Sequence, residues 1–504
     1  MQAPDSTTRA EPRPIDRIAL SGAGDAPALA MRDLVLDYAE LEDRVARLAA
    51  WIRAQGVATG DRVASWLPKN VEACLMPLAA ARAEAIHIPI NPLLKRAQVA
   101  HILADSGTRL LLTGAGRAAT LEPGDLPESC ALAIDAAITP PSEGLPPSDA
   151  DPSALAAILY TSGSTGLPKG VMLSHANLWL GAISVATYLK LSPVDRVLCV
   201  LPLSFDYGQN QLLSTWAAGG CAVPLDYLAP RDVVRAVERE AITTLAGVPP
   251  LWLQLVEVEW PAETAARLKR LTNSGGALTP PLVRALRATF PAADIYAMYG
   301  LTEAFRSTYL DPALIDAHPD SVGNAIPFAE VMIVRPDGSP AGADEPGELV
   351  HAGPLVAQGY WRDPERTALR FRPAPPASHY GGTAVWSGDT ALRGADGLIR
   401  FVGRDDEMIK SSGNRISPAE IESAAIASGA TGEAVAIGVK DARLGQAVLL
   451  VARGDGSGED ALKSWLKREL PAYMQPREIV WRSELPRNPN GKLDRAGLRK
   501  ELAS

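Results

Sequence analysis

One stretch constrains this chain more than any other: residues 160–170, Y-T-S-G-S-T-G-L-P-K-G. It follows an apolar run at 155–160 that reads as a buried strand. Small hydroxyls at Thr161, Ser162, Ser164 and Thr165 alternate with Gly163, Gly166 and Gly170. Glycine lets the backbone approach a ligand with no Cβ in the way, the hydroxyls donate, and the Lys169 ammonium adds charge. Such a loop at the end of a strand is built to hold phosphate. The common phosphate loop, G-x-x-x-x-G-K-[ST], is not met, because Pro168 precedes the lysine. A flexible glycine-serine hinge would explain the small residues but not the Pro-Lys-Gly finish.

The surroundings decide what kind of sheet carries the loop. Residues 28–36 read as a hairpin, and 38–54 as an amphipathic helix with Leu41, Val45, Leu48 and Ile52 on one face, closed by Gly56. Strands at 61–67, 86–90 and 110–113 then alternate with helices at 71–83 and 97–106. Strand followed by helix, several times over, predicts a doubly wound α/β sheet. Residues 137–153, rich in Pro, Ser and Asp, read as an exposed connector, and no internal repeat is found. Near the carboxyl end, strands at 434–439, 447–452 and 478–481, a helix at 459–470 and a closing helix from Arg495 predict a small α+β unit.

Composition excludes several classes. The net charge of −9 implies no strongly basic face for nucleic acid. Cys74, Cys130, Cys199 and Cys221 lie far apart and fit scattered reduced thiols. The first fifteen residues are polar and proline-bearing, unlike a signal peptide, and no apolar run nears eighteen residues, so a cytoplasmic protein with no membrane partner is expected.

Further short motifs follow in order: A-G-V-P-P-L at 246–251, T-N-S-G-G-A-L at 272–278, M-Y-G-L-T-E at 298–303 and W-S-G-D at 386–389. A long motif spans 401–422, F-V-G-R-D-D-E-M-I-K-S-S-G-N-R-I-S-P-A-E-I-E, and N-P-N-G-K-L-D-R occupies 488–495. With the 160–170 loop, this series resembles the AMP-forming ligases, the superfamily of acyl-CoA synthetases, amino-acid adenylation domains and firefly luciferase. The resemblance runs from about residue 16 to 500. It implies a large domain at 1–405, a small mobile lid at 406–504 and a hinge at Asp406.

The same resemblance implies roles. ATP would lie on Thr161, Ser162, Gly163, Ser164, Thr165, Gly166 and Lys169. Gly275, Gly276, Ala277, Tyr299 and Gly300 would meet the adenine, Asp389 and Arg404 the ribose, Thr302 the phosphate, and Glu303 the magnesium ion. Lys492 would be the catalytic lysine, with Thr302 and Glu303 beside it. Joining a carboxylate to the α-phosphate brings two anions together, so fixed positive charge lowers the barrier. In the second step a phosphopantetheine or CoA thiol attacks the adenylate, with Lys410, Gly413 and Arg415 lining its tunnel after the lid swings.

Substrate choice turns on L-P-L-S-F-D-Y-G-Q-N-Q-L at 201–212. Fatty-acyl and aryl members usually carry histidine where this chain has Asp206, whereas amino-acid-activating members use aspartate to hold the substrate ammonium. The plainer reading makes Asp206 a turn or cap residue before a helix from Gln209. The carried-over pocket also includes Tyr207, Asn210, Ala246, Thr272, Ser274, Met298, Arg306 and Ser307, a polar set unsuited to a long alkyl chain. A small amino acid is favoured, proline among them, loaded onto a separate carrier protein or CoA. The sequence is similar both to stand-alone amino-acid:carrier-protein ligases and to exosortase-associated acyl-CoA ligases. A ligase for a non-amino acyl or aryl acid stays open, as does an adenylate-binding regulator that has lost catalysis. His175, in S-H-A-N, reads as a helix-start partner rather than a base.

Overall fold

The computed structural model describes residues 11–161, 168–404, 409–411, 414–441, 444–470, 472–489 and 491–502, without the side chains of residues 404, 410, 414, 415, 445 and 473. The alternation read from the first hundred residues forms as expected. Helix Tyr38–Ala54 starts at a capping box in which the Asp37 carboxylate accepts from the Glu40 N–H and Glu40 accepts from the Asp37 N–H. It buries Tyr38, Leu41, Val45, Leu48 and Ile52 along one stripe.

Among the described residues three sheets form. In the first, strands Arg62–Trp66, Ile86–Pro89, Leu110–Thr113, Ala131–Ile134 and Leu155–Thr161 run parallel, and Lys169–Ser174 returns antiparallel beside the last of them. In the second, Cys221–Pro224, Arg196–Cys199, Thr244–Gly247, Arg270–Asn273 and Asp294–Tyr299 run parallel in that spatial order. An antiparallel wing that includes Gly347–Ala352, Thr383–Arg393 and Ile399–Arg404 continues it. Parallel strands need crossover helices on their faces, which is why these strands read as unbroken apolar runs.

The principal core lies between the two large sheets and their helices, where Trp216 and Trp252 are fully buried. Trp216 also donates its indole N–H to the Ala28 carbonyl at 2.8 Å, tying helix Asp206–Ala217 to the amino-terminal hairpin. The third sheet, with Ala434–Asp441, Gly445–Arg453 and Glu478–Arg482, has its own core around Ile421, Leu450, Leu462 and Leu466. A large amino-terminal and a smaller carboxyl-terminal domain thus follow from separate cores.

One local expectation needs correction. The helix expected from Gln209 begins at Asp206 instead, with Phe205 at the cap position and no side-chain cap. Ile409–Ser411 pairs antiparallel with Asn414–Ile416. The 137–153 connector is largely irregular, as read, but it is pinned: Asp16 accepts from the Ser148 N–H at 3.0 Å, and Arg17 Nε donates to the Ser148 carbonyl at 2.8 Å. Among the described residues no helix is long and apolar enough to cross a membrane.

Candidate active site

The neighbouring strands Thr244–Gly247, Arg270–Asn273 and Asp294–Tyr299 are held in register, Gly247 beside Asn273 and Asn273 beside Ala297. Their carboxyl ends therefore deliver the 246–251, 272–278 and 298–303 motifs side by side, where open α/β sheets bind ligands. Across from them, Lys169 pairs with Thr161 at the mouth of the 160–170 loop. Ser162, Gly163, Ser164, Thr165 and Gly166 lie outside the described residues, as do Asp406 and Gly413.

At the loop's closing end, Lys169 Nζ donates to Glu303 Oε1 at 3.1 Å and to the Tyr360 hydroxyl at 2.7 Å. The Tyr360 hydroxyl in turn donates to Glu303 Oε1 at 2.6 Å. Burial pushes the Glu303 carboxyl up, but the Lys169 charge and the Tyr360 hydroxyl together outweigh it and hold it below its ordinary value. Burial likewise lowers the Lys169 ammonium, with Glu303 opposing. Thr302 is buried next to Glu303, and Thr161 Oγ1 is buried without a protein partner. Sequence reasoning missed Tyr360, which lies in none of the motifs read above.

Around this corner the chain is tightly folded. Phe305 takes φ +61°, a left-handed value that a large side chain adopts only at a cost of about 1–3 kcal/mol. A Cβ at Gly300 would come within 2.9 Å of Arg306 Cα and of the Phe305 carbonyl, so this reversal requires glycine there. Tyr299, at the end of its strand, donates its hydroxyl to Asp389 on strand Thr383–Arg393. Arg404 is the ladder partner of Asp389. Gly276 and Ala277 are exposed at the mouth of the site.

The residues expected to line an acid pocket are placed as follows. Asp206 and Asn210, one helical turn apart, are both buried on the first turns of helix Asp206–Ala217. Asn210 Oδ1 has no protein partner. Tyr207 donates or accepts through its hydroxyl at 2.6 Å from Thr272 Oγ1, and the Arg306 guanidinium lies 4.5 Å from the Tyr207 ring centre. Arg306 Nη1 donates to Ser274 Oγ at 3.0 Å, while its Nε is buried and unpartnered. Burial raises the Asp206 carboxyl above its ordinary value, with Arg306 and then Lys492 opposing. Ala246 is buried as the ladder partner of Thr272, the Met298 sulfur accepts from the Tyr188 hydroxyl at 2.9 Å, and Ser307 is fully buried on His351.

Lys492 comes to the same place from the small domain. Its ammonium stands 4.9 Å from the centre of the Phe205 ring, and its stem passes Gly275, where a Cβ would lie 2.7 Å from Lys492 Cε. Lys410 and Arg415 are backbone ladder partners in the pairing of Ile409–Ser411 with Asn414–Ile416. His175, by contrast, follows the Ser174 cap and accepts from the Ile15 N–H at 3.3 Å, and burial lowers it to about 4. It belongs to the core.

Residues 9–361 match the AMP-binding enzyme family, and residues 420–492 match the AMP-binding enzyme C-terminal domain. The chain belongs to the AMP-binding enzyme family. It is 33% identical to a feruloyl-CoA synthase of Amycolatopsis sp., with 93% of this chain and 94% of that one covered. It is 29% identical to an L-proline--[L-prolyl-carrier protein] ligase of Pseudomonas fluorescens, over 93% of this chain and 94% of the relative. ATP-bound MatB from Rhodopseudomonas palustris superposes with a TM-score of 0.87 at 25% identity, covering 97% of this chain and 99% of that one. Bacillus subtilis o-succinylbenzoate CoA synthetase, solved with its acyl-adenylate, gives 0.84 at 25% identity, over 97% and 98% of the two chains. As an AMP-binding enzyme, the protein falls among the ATP-dependent, AMP-forming acyl-CoA, aryl-CoA and amino-acid ligases.

Proposed function

We propose that this enzyme adenylates a small amino acid with release of pyrophosphate and passes the acyl group to a phosphopantetheine thiol, on a carrier protein or CoA. One observation carries the substrate class: Asp206 is buried on the first turn of its helix, past the cap position, with the unpartnered Asn210 Oδ1 one turn away. Two acceptors on one helical face suit an incoming ammonium, and an ammonium would offset the cost of keeping the carboxylate ionised.

The remaining residues support the chemistry in named roles. Lys492 would bridge the substrate carboxylate and the α-phosphate, neutralising charge as it builds there. Thr161, Thr302 and Lys169 would hold the departing phosphates, and Gly275 to Ala277 and Tyr299 would meet the base, with Asp389 and Arg404 on the ribose. Magnesium, when it accompanies the triphosphate, supplies countercharge. Glu303, whose carboxylate here accepts from Lys169 and Tyr360, offers a hard oxygen that would suit such an ion, with the buried, unpartnered Thr161 hydroxyl as a second oxygen. The domains would divide at residues 405 and 406, and turning about Asp406 would exchange the Lys492 hairpin for the one bearing Lys410, Gly413 and Arg415.

A second reading rests on Arg306. Its guanidinium already gives Asp206 a cation nearby, so a neutral aryl or acyl acid could occupy the pocket with Asp206 serving structure. The feruloyl-CoA synthase relative favours this reading, and the prolyl-carrier ligase relative favours the first. Pyrophosphate release measured over the proteinogenic amino acids and a set of aryl and alkyl carboxylates, ferulate included, separates them. Turnover with an amino acid alone supports the first, and turnover with only non-amino acids overturns it.

A further inference from the structure

The described residues of the hairpin that carries Lys492 are tied together by several hydrogen bonds. The Asn488 N–H donates to the Lys492 carbonyl at 2.7 Å, the Lys492 N–H to Asn488 Oδ1 at 3.1 Å and the Gly491 N–H to the Asn488 carbonyl at 2.9 Å, while Arg487 and Leu493 form a bridge. A contact made next to Asn488 on this turn therefore bears on the base of the lysine side chain. One such contact comes from the opposite end of the sequence. Asn91, 6% exposed and just past strand Ile86–Pro89, donates through Nδ2 to the Pro489 carbonyl at 3.0 Å, across 398 residues.

The orientation of that amide is set locally. Asn91 Oδ1 accepts from the Leu93 N–H at 2.9 Å, which leaves the NH₂ end for Pro489. On the far side, the Lys492 stem runs past Gly275, which sits at φ +80°, toward the Phe205 ring. The large domain thus holds the hairpin at its turn and at its lysine.

We propose that Asn91 is a positioning residue that latches the Lys492 hairpin for the adenylation half-reaction and takes no part in thiol transfer. The proposal rests on the role given to Lys492 above. A neutral hydrogen bond to a backbone carbonyl suits a contact that must form and break in each cycle, because its net strength is modest in water. Sequence reasoning passed over Asn91, since I-P-I-N-P reads only as a strand leading into a turn.

Asn91→Asp tests it, because the aspartate keeps an acceptor for the Leu93 N–H and turns an oxygen toward the Pro489 carbonyl. In the full-length enzyme, hydrogen–deuterium exchange of peptides spanning 486–494 is expected to speed up about tenfold. Peptides from Ala434–Asp441 and Gly445–Arg453 should not change. With the acid found in the release screen, pyrophosphate exchange should fall about tenfold while thioester formation from pre-made adenylate stays within about twofold. Unchanged exchange in the hairpin overturns the latch, and an equal fall in both half-reactions reduces Asn91 to a structural residue. If Lys492→Ala leaves adenylation intact, the parent role fails instead, and hairpin exchange in Asn91→Asp still decides the latch.

Discussion

The two halves of the site treat charge in opposite ways. At the phosphate corner Lys169, Glu303 and Tyr360 satisfy one another directly, each pair within 3.1 Å. In the acid pocket Asp206 and Arg306 are both buried but form no direct ion pair among the described residues, and Arg306 Nε and Asn210 Oδ1 have no protein partner. The corner would meet a group common to every substrate of such a ligase, so it can be preorganised. The pocket would meet the part of the acid that differs, and it keeps its polar atoms for that part. Buried polar groups without partners cost stability until something supplies them, and this cost is how a pocket rejects the wrong acid.

This contrast can be broken by measurement. The largest effect is expected at the lysine proposed to serve both halves: Lys492→Ala should lower pyrophosphate exchange by about 10³-fold for every acid. Thioester formation from pre-made adenylate should persist, and an equal loss of both steps would refute the division of labour. Glu303→Gln, which removes the counter-charge of Lys169, should cost about 10²-fold in kcat/KM irrespective of the acid. Asp206→Asn should cost up to about 10²-fold for an amino acid and little for acids lacking an amino group. A uniform loss would erase the distinction between corner and pocket.

Smaller still is the pH effect on the pocket. Burial raises Asp206 above the ordinary carboxyl value, so its attraction for an ammonium appears as pH rises through that raised value and fades as pH falls through it. The KM for the amino acid should rise on acidification, with the KM for ATP much less affected. Stability should follow another set of groups. His87 and His351 are lowered to about 3 by burial and His175 to about 4, so between these values and 6.5 the unfolded chain binds protons that the folded chain does not. Stability then falls as pH drops from 7 to 5, by on the order of 2 kcal/mol for one such histidine. A Tm unchanged across that range would show that these rings protonate in place.

Much of this was legible beforehand because it is local. Helix Tyr38–Ala54 and strand Leu110–Thr113 were read to their observed ends, since capping, apolar period and glycine placement are properties of neighbouring residues. The start of helix Asp206–Ala217 was read three residues late, because Asp206-Tyr207-Gly208 looks like a turn. Gly208 is needed there for a non-local reason: a Cβ would lie 1.9 Å from the Pro202 carbonyl. Tyr360, Phe205 and Asn91 escaped notice because an aromatic ring or an amide has no local signature when its partner lies far along the chain.

By itself, then, the sequence determined the order of strands and helices and the motifs that align with one enzyme family. Neighbouring residues specify those features. Only the tertiary structure decided that Glu303 spends its charge on Lys169, that Arg306 lies beside Asp206, and that a turn near the carboxyl end rests on Asn91. Those contacts depend on how the sheets and domains come together, and the distance between them in sequence hides them from any local pattern.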